Sequence, residues 1–420
     1  VTVAVAPDST GMDPQHRRPL QAGRAALKVL VAHSVYRQRG GEDVVVESEI
    51  ALLRRHGVEV DTWYRHNTEL EQEPPWRVAT QTAWSSRTVD EIGERIRAFR
   101  PDVIHVHNTF PAMSPSVFWA ASRAGVPIVL TLHNFRLLCL DATFLRDGRI
   151  CESCYGRSLA AGVRHGCFND SVAQSAVVAA AATLHRSIGT WQSRVTRFIA
   201  LNRFCRDRFV GAGFPAERFR IKPNFVEDSV GVAGHDRGSG GGYFVGRLSE
   251  EKGFGLLASV ADRMPADAIR IVGDGPLAPQ ARAAFGERWL GALPSAQVME
   301  RLRLARWAVI PSICYEQFPR VIVEAFACGV PVIASRLGSL PELVEDGVTG
   351  LLFEPGNARD LADKVRWAED HPEAMRRFGD AARQTYLQRY TAQRNFEELT
   401  AIYCDAIVAA TASKTVSQPA

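Results

Sequence analysis

Short, continuous apolar runs recur along the chain, separated by polar loops and by helical stretches. Lys28 to Ala32, Pro101 to His107 and Pro127 to His133 have the length and composition of strands that are buried on both faces. Trp307 to Ile310 and Val330 to Ser335 repeat this pattern in the second half of the chain. Buried strands alternating with helices predict an α/β protein with parallel sheets.

The stretch between the last two runs predicts a complete strand, loop, helix and strand unit. Pro311 breaks the strand into a loop that carries Glu316. Pro319 is expected at the first helical position, because its φ is already fixed for a helix, and Gly329 is expected to end the helix. Such a unit is the right-handed crossover of a parallel sheet.

Two carboxylates of this unit, Glu316 and Glu324, are eight residues apart and flank the predicted helix N-terminus. Unpaired N–H groups at a helix N-terminus suit an anion such as phosphate, and a carboxylate can accept hydrogen bonds from sugar or ribose hydroxyls. The alternative is that both are ordinary solvated residues. Glu324 lies among apolar neighbours, where an unpaired charge is costly, and this favours a bound polar partner.

The pattern Glu-x7-Glu followed by Ala-Phe-Ala-Cys-Gly-Val-Pro-Val-Ile-Ala-Ser resembles the donor-site signature of family 4 of the retaining glycosyltransferases, the glycosyl transferases group 1. The resemblance implies the GT-B fold, in which two Rossmann-like doubly wound domains face each other across a cleft. It also implies transfer of a hexose-type sugar, with retained configuration, from a nucleotide diphosphate to a hydroxyl of a glycan, glycolipid or small molecule. No metal is implied at the diphosphate, and no cofactor is required for catalysis.

The resemblance also assigns roles to individual residues. It implies that Arg247 and Lys252 clamp the pyrophosphate, that Glu316 orients the sugar hydroxyls and that Glu324 holds the ribose. His133 is implied beside the transferred sugar, although a strand-end histidine is more often a structural hydrogen-bonding group. With Arg247, Lys252 and Glu316 it forms the expected catalytic set. The other expected donor-binding residues are Gly40, Gly41, Gly246, Gly273, Leu293, Phe318, Pro319, Arg320 and Val321. Position 319 is glycine in many relatives, so the proline here removes one amide donor.

Four cysteines, Cys139, Cys151, Cys154 and Cys167, fall within 29 residues. Bound to zinc, four thiolates would stabilise a glycine-rich insertion that has little apolar surface to pack. The spacing lacks the symmetry of a zinc ribbon, so ordinary thiols remain an equal alternative, and a disulfide is less expected in a reducing compartment.

Composition shifts along the chain predict its division into domains. Gly-, Asp- and Ser-rich residues before Tyr243 predict an interdomain linker. The expected divisions are a disordered extension at 1–26, an acceptor-side domain at 27–224 with a Cys-rich insertion at 139–167, a linker at 225–242, a nucleotide-sugar-binding domain at 243–394, a helix at 395–409 crossing back to the first domain, and a frayed tail at 410–420.

The net charge of +4 is concentrated between Arg186 and Lys222, where nine basic residues face two acidic ones. This segment predicts contact with an anionic membrane or a phosphate-bearing acceptor; the alternative is a solvated helix face. Nucleic acid is disfavoured because no recognition motif accompanies the charge. The most apolar helical stretch, Val172 to Leu184, has only thirteen residues, too few to span a bilayer. The expected location is cytoplasmic, with peripheral attachment to the inner face of the membrane.

Other functions fit a two-domain cleft of this kind. A nucleotide-sugar epimerase or a glycoside phosphorylase is a second enzymatic interpretation, and a non-catalytic sugar-binding scaffold is one from another class. The absence of a Gly-x-Gly-x-x-Gly fingerprint at the start of either domain disfavours a dehydrogenase. The sugar, the base and the acceptor are not specified by the sequence.

Overall fold

The structure is a computed structural model that describes residues 26–37, 39–228, 241–265 and 267–416. Residues 1–25 of the expected extension at 1–26, and most of the expected linker at 225–242, lie outside these residues. Two parallel sheets, each covered by helices on both faces, make up the described chain. This is the predicted α/β, GT-B architecture of two Rossmann-like halves.

The first half contains eight strands, of which six form one parallel sheet in the order β2-β1-β3-β4-β7-β8. The strands are β1 (Lys28–Val35), β2 (Glu59–His66), β3 (Val103–Val106), β4 (Ile128–Leu132), β5 (Leu145–Arg146), β6 (Arg149–Ile150), β7 (Arg197–Ala200) and β8 (Phe219–Ile221). The pair β5 and β6 forms a separate antiparallel hairpin inside the Cys-rich insertion. The helices are α1 (Gly41–Arg55), α2 (Pro75–Ala83), α3 (Ser86–Phe99), α4 (Ser116–Arg123), α5 (Ala160–Arg164), α6 (Val172–Ser187), α7 (Thr190–Ser193) and α8 (Arg203–Gly211).

The second half contains a five-stranded parallel sheet in the order β10-β9-β11-β12-β13. Its strands are β9 (Gly242–Val245), β10 (Ile269–Val272), β11 (Trp307–Ile310), β12 (Val332–Ser335) and β13 (Gly350–Phe353). Its helices and those that follow are α9 (Phe254–Ala258), α10 (Ala278–Phe285), α11 (Ser295–Leu304), α12 (Arg320–Ala327), α13 (Leu340–Leu343), α14 (Ala358–Asp370), α15 (Pro372–Arg389) and α16 (Ala392–Val416).

The apolar runs are continuous because alternate residues of each strand face different cores. Leu30 and Ala32 of β1 pack into the core on one face of the first sheet. Val29 and Val31 pack into the core on the other face, together with Tyr403 of α16. A strand buried on both faces requires apolar residues at every position, which is why the sequence pattern located these strands.

Each sheet has a point where the strand order reverses, between β1 and β3 in the first and between β9 and β11 in the second. Open parallel sheets bind ligands outside the carboxyl ends of the strands at this point. Ligand-binding and catalytic residues are therefore expected directly after these strands.

Helix α16 lies against the first half, where its Leu399, Tyr403 and Ala406 share a core with Val29 and Val31 of β1. The expected bounds of 395–409 were too short, and the expected tail from 410 is wrong as far as Val416, because the helix runs from Ala392 to Val416. No glycine or proline interrupts this segment, and its alanines favour helix.

One local expectation was also wrong. Pro319 occupies the N-cap of α12 in an extended conformation, with ψ of 109°, so Arg320 is the first helical residue. Among the described residues, no helix combines the length and the apolar character needed to cross a membrane.

Candidate active site

Three loops meet at the carboxyl edge of the second sheet, and glycines allow them to approach. A Cβ on Gly273, whose φ is +138°, would stand 1.8 Å from the carbonyl oxygen of Gly246. A Cβ on Gly253, whose φ is +68°, would stand 1.8 Å from the carbonyl oxygen of Pro311. The loops after β9, β10 and β11 are thereby held against one another, at the position where parallel sheets bind ligands.

Lys252 and Glu316 form an ion pair inside this group of loops. Nζ of Lys252 donates to Oε1 of Glu316 at 2.7 Å, and Oγ of Ser312 donates to the same oxygen at 2.8 Å. Oγ of Ser339 fixes the loop by donating to the backbone oxygen of Glu316 at 2.7 Å. Burial alone would lower the pKa of Lys252, but the Glu316 carboxylate outweighs it and the pKa is raised. The lysine is therefore a fixed positive charge, and 34% of its side chain remains exposed to a ligand.

Helix α12 begins just after this loop and carries the second predicted carboxylate. The Glu324 carboxyl lies 3.5 Å from the Arg320 guanidinium. Burial raises the pKa of Glu324, and Arg320 opposes that shift. Arg320, one helical turn away, thus faces the Glu324 carboxyl within the chain, and the bound polar partner expected for Glu324 stays a prediction.

The remaining donor-binding residues predicted in the second half differ in how far their side chains are exposed. Arg247 directly follows Gly246 and has an exposed side chain, unlike the partly buried Lys252. Phe318 is buried against Tyr390, with ring centroids 5.9 Å apart. Leu293 and Val321 are half-buried against the second core.

The predicted glycines of the first half lie at the start of α1. Gly40 is the N-cap, and its N–H donates to Oδ2 of Asp43 at 2.8 Å. Gly41 is exposed, and nothing lies within 4 Å of the place where its Cβ would stand. Packing within the chain therefore does not require a glycine at position 41. The glycine leaves open space beside the N-terminus of α1.

His133 ends a buried chain of polar groups. Its Nε2 lies 2.9 Å from Nδ1 of His107, and Nε2 of His107 lies 3.8 Å from the Glu49 carboxylate. Nζ of Lys222 donates to that carboxylate at 2.5 Å. Burial, with the nearby His33 and Lys222, lowers the pKa of His133 to about 3. His133 is consequently a neutral hydrogen-bonding group at ordinary pH, not a cation.

Within the described ranges, Glu49, His105 and His107 are the one group of three ligand-type side chains close enough to hold a metal ion. The Lys222 ammonium already pairs with Glu49. The two ring nitrogens of His105 are each engaged, one with Tyr403 and one with Thr131, both at 2.8 Å. This group is accounted for by its own hydrogen bonds and ion pair.

A carboxyl group that the sequence did not single out lies close to Asn134, the residue that follows His133. Glu42 follows Gly41, and its Oε2 accepts a 2.7 Å hydrogen bond from the Tyr36 hydroxyl, which in turn accepts one from Asn134 at 3.3 Å. Its Oε1 is buried and accepts no hydrogen bond from the residues that the structure describes. Burial raises the pKa of Glu42 to about 8. Glu42 directly follows the Gly40–Gly41 pair and faces Asn134 after a strand. This position was the signal that could have identified it as a candidate site residue.

We expect Glu42→Gln to become more stable relative to the wild type as pH rises from about 5 to about 8. The pKa of Glu42 is raised from an ordinary 4.5 to about 8, so the folded chain retains a proton that the unfolded chain releases. The unfolding free energy of the wild type then falls as the pH rises through this window. The variant shows no such fall at this position, because glutamine does not ionise. The difference in unfolding free energy should grow by a few kcal/mol, on the order of the shift times ~1.4 kcal/mol per unit.

Urea unfolding at the two pH values measures this difference. Glu59→Gln, at a half-exposed carboxylate, is the matched control and should show no such trend. If the variant and the wild type differed in unfolding free energy by the same amount at both pH values, this would contradict a buried, protonated Glu42 in the folded chain.

The Cys-rich insertion joins the two halves at the loop that carries Glu316. The Tyr315 N–H donates to the carbonyl of Thr143 at 3.1 Å, and the Tyr315 hydroxyl donates to Glu152 at 2.9 Å. Arg208 of α8 pairs with the same Glu152 at 2.7 Å. The insertion therefore supports the Glu316 loop from the first half.

The structure does not gather the four insertion cysteines into one ligand set. Cys139 lies in the core of the first sheet, whereas Cys154 and Cys167 belong to a small separate cluster. Across the described part of the chain, no three of their sulfur atoms come within 4.8 Å of one another. The zinc hypothesis therefore still rests on the cysteine spacing alone. Metal analysis of the purified chain tests it, and less than one equivalent of zinc per chain would contradict it.

The basic segment from Arg186 to Lys222 does not form one exposed face. Lys222 is fully buried against Glu49. Arg197 and Arg220 both pair with Asp405 of α16, at 2.8 and 2.6 Å. Arg197, Arg220 and Lys222 are therefore neutralised within the fold, and contact of the rest of the segment with an anionic membrane stays a prediction.

Two family models match the chain, one on each half. The Glycosyl transferase 4-like domain matches residues 40–224, and Glycosyl transferases group 1 matches residues 242–385. The sulfoquinovosyl transferase of Arabidopsis thaliana is 27% identical over 73% of this chain and 57% of its own length. The alpha-maltose-1-phosphate synthase of Mycolicibacterium smegmatis is 33% identical over 38% of this chain and 46% of its own. The chain thus spans about half the length of these curated relatives.

Solved structures share the fold at low sequence identity. HepE of Anabaena, in complex with UDP-glucose, has a TM-score of 0.61 at 19% identity, covering 89% of this chain and 99% of that one. Sucrose-phosphate synthase of Thermosynechococcus elongatus has a TM-score of 0.67 at 16% identity, covering 91% and 100%. Together the fold, the loops at the second sheet's edge and the two family matches support a GT-B glycosyltransferase.

Proposed function

We propose that this chain is a retaining, family 4 hexosyltransferase that moves a sugar from a nucleotide diphosphate to a hydroxyl acceptor without a metal at the diphosphate. The observation that carries the proposal is the Lys252–Glu316 pair, held at 2.7 Å where the strand order of the second sheet reverses. A fixed cation beside a helix N-terminus suits a diphosphate.

In this proposal the second half holds the donor. Lys252 and the exposed Arg247 contact the diphosphate and stabilise the negative charge that develops on it as the sugar leaves. Glu316, oriented by Ser312 and Ser339, accepts hydrogen bonds from sugar hydroxyls. Glu324 takes the ribose hydroxyls.

The first half holds the acceptor side. His133 is neutral, so it can donate or accept a hydrogen bond at the sugar without adding charge. The open space beside Gly41 admits the donor to the N-terminus of α1. The bond from the anomeric carbon to the leaving phosphate breaks, the bond to the acceptor oxygen forms on the same face, and the acceptor proton passes to the leaving phosphate.

Product analysis tests this function against the other enzymatic interpretations. The chain is incubated with labelled UDP-glucose and other nucleotide sugars, with and without inorganic phosphate and with candidate hydroxyl acceptors. A glycosylated acceptor and free nucleotide diphosphate support the proposal. An isomerised nucleotide sugar indicates an epimerase, and a sugar phosphate formed only with phosphate indicates a phosphorylase. Binding of a nucleotide sugar without any product would leave only the non-catalytic scaffold.

A further inference from the structure

The hydrogen bond between His107 and His133 can hold its proton in two ways, and each gives His133 a different role. Nδ1 of His107 and Nε2 of His133 lie 2.9 Å apart. The ring centroids are 5.2 Å apart and the ring planes differ by 20°, which fits a hydrogen bond in the plane of both rings. Burial lowers the pKa of His107 well below its usual range and that of His133 to about 3. Both rings are therefore neutral, and a single proton lies between the two nitrogens.

The two arrangements differ at the far nitrogen of the His133 ring. If His133 donates from Nε2, its Nδ1 carries a lone pair and can only accept a hydrogen bond. If His107 donates from Nδ1, His133 carries its own proton on Nδ1 and can only donate there. A neutral imidazole has one N–H, so the surroundings of the other His107 nitrogen, Nε2, decide between the two.

Nε2 of His107 faces the carboxylate of Glu49. It lies 3.8 Å from Oε2 of Glu49, and this buried oxygen accepts no hydrogen bond from the residues that the structure describes. The distance is too long for a hydrogen bond, but electrostatic preferences are strong where water is excluded. An N–H turned toward the carboxylate is attracted to it, whereas a nitrogen lone pair is repelled. The proton of His107 therefore belongs on Nε2.

The neighbours of this pair do not offer Oε2 another donor. Nζ of Lys222 donates to Oε1, the other oxygen of Glu49, and so holds the carboxylate in place. The two ring nitrogens of His105 are engaged by the hydroxyl groups of Tyr403 and Thr131. The Nε2–H of His107 is thus the donor best placed to face Oε2.

The far nitrogen of His133 is open to a cavity. His107 and His133, which follow β3 and β4, line this cavity together with the apolar side chains of Phe110 and Leu132. His133 is half-buried, and its Nδ1 is not among the enclosed atoms that lack a hydrogen bond within the described part of the chain. A ligand group in the cavity can therefore reach Nδ1.

We propose that Glu49, acting through His107, fixes His133 in the tautomer with its proton on Nε2, so that Nδ1 accepts a hydrogen bond from a hydroxyl of the transferred sugar. The tautomer does not rest on the proposed transferase function, whereas the sugar contact does. Glu49 and His107 are then positioning residues, because they act through His133. The site selects a group that donates a hydrogen bond at this position over a carbonyl or a carboxylate.

Nuclear magnetic resonance of the full chain, with nitrogen-15 in its histidines, measures the tautomer without any ligand. The signals of His133 are identified by their loss in His133→Gln. Near neutral pH they should show a proton on Nε2 and none on Nδ1. A wild-type chain with the His133 proton on Nδ1 would overturn the proposal.

The double variant Glu49→Leu, Lys222→Met tests the role of the carboxylate. It removes the anion together with its buried cation, so no charge is left unpaired and the chain should stay folded. His107 then has no carboxylate to face, and the single Nε2-protonated form of His133 should be lost. If the folded double variant kept that form alone, Glu49 would not be the group that sets it. His107→Leu removes the link itself and should release His133 in the same way.

Binding of UDP-glucose and of UDP, measured by calorimetry, tests the sugar contact. In both variants the affinity for UDP-glucose should fall about three- to tenfold, the effect of one neutral hydrogen bond. The affinity for UDP should not change, because UDP carries no sugar. An equal fall for both ligands would indicate a general structural effect and would overturn the contact.

His185→Leu is the matched control for His107→Leu. His185 is a fully buried histidine of α6, and its ring nitrogens are bonded to Thr190 and to the backbone oxygen of Ala83. Its replacement should leave the His133 signals and the affinity for UDP-glucose as in the wild type. A wild-type chain that shows the expected tautomer but binds neither UDP nor UDP-glucose would count against the transferase and the sugar contact, and would leave the tautomer supported.

Discussion

Replacing Lys252 by methionine is expected to lower the rate of sugar transfer by about 100-fold or more, because one preorganised charge at a developing anion contributes about 10²–10³ in rate. Methionine keeps the length and apolar stem of the side chain, so the loops around it should stay packed. Glu316 then loses its partner 2.7 Å away, which should also weaken donor binding. Initial rates at saturating nucleotide sugar measure the effect.

Lys28→Met is the matched control for that variant. Lys28 has 35% of its side chain exposed and pairs with Glu59 at 3.3 Å, close to the 34% exposure and carboxylate pairing of Lys252, but it lies at the start of β1. It should retain full activity. A decrease of less than threefold for Lys252→Met, with donor binding unchanged, would remove the lysine from the proposed mechanism.

Replacing Glu49 by alanine is expected to destabilise the first half by about 3–5 kcal/mol, the typical cost of leaving a buried charge unpaired. The Lys222 side chain is fully buried and Glu49 is 3% exposed, so the variant leaves the ammonium buried without its carboxylate partner. The His107 ring, 3.8 Å from the carboxylate, would lose the charge that faces it. Urea unfolding followed by circular dichroism measures the change in unfolding free energy.

Two further variants separate the buried pair from a general effect of losing a glutamate. Glu59→Ala breaks an exposed pair and should cost no more than about 1 kcal/mol. The double variant Glu49→Leu, Lys222→Met removes both charges and should recover most of the loss, because two apolar side chains need no partner. A cost below about 1 kcal/mol for Glu49→Ala would show that water reaches the Lys222 ammonium.

The apolar runs were sufficient to predict β1, β3, β4, β11 and β12, because a strand buried on both faces carries its signal in consecutive residues. Lys252 and Glu316 were each singled out, but their pairing depends on loops 64 residues apart meeting at one edge, which only the folded chain shows. Glu42 was missed for the same reason: its significance comes from Tyr36 and Asn134, and Asn134 lies in the loop after another strand, β4.

Charge was the least reliable guide. The sequence counts nine basic residues between Arg186 and Lys222, but it does not show that Arg197, Arg220 and Lys222 pair with acids from distant segments.

The most direct test of the account is a crystal structure of the chain with the nucleotide diphosphate that raises its melting temperature most, since a ligand that binds the folded state stabilises it. The account predicts the diphosphate at the edge formed by the loops after β9 and β11, with Lys252 within hydrogen-bond distance and the N-terminal turn of α12 facing it. A nucleotide bound elsewhere, with the Lys252–Glu316 pair untouched, would contradict it.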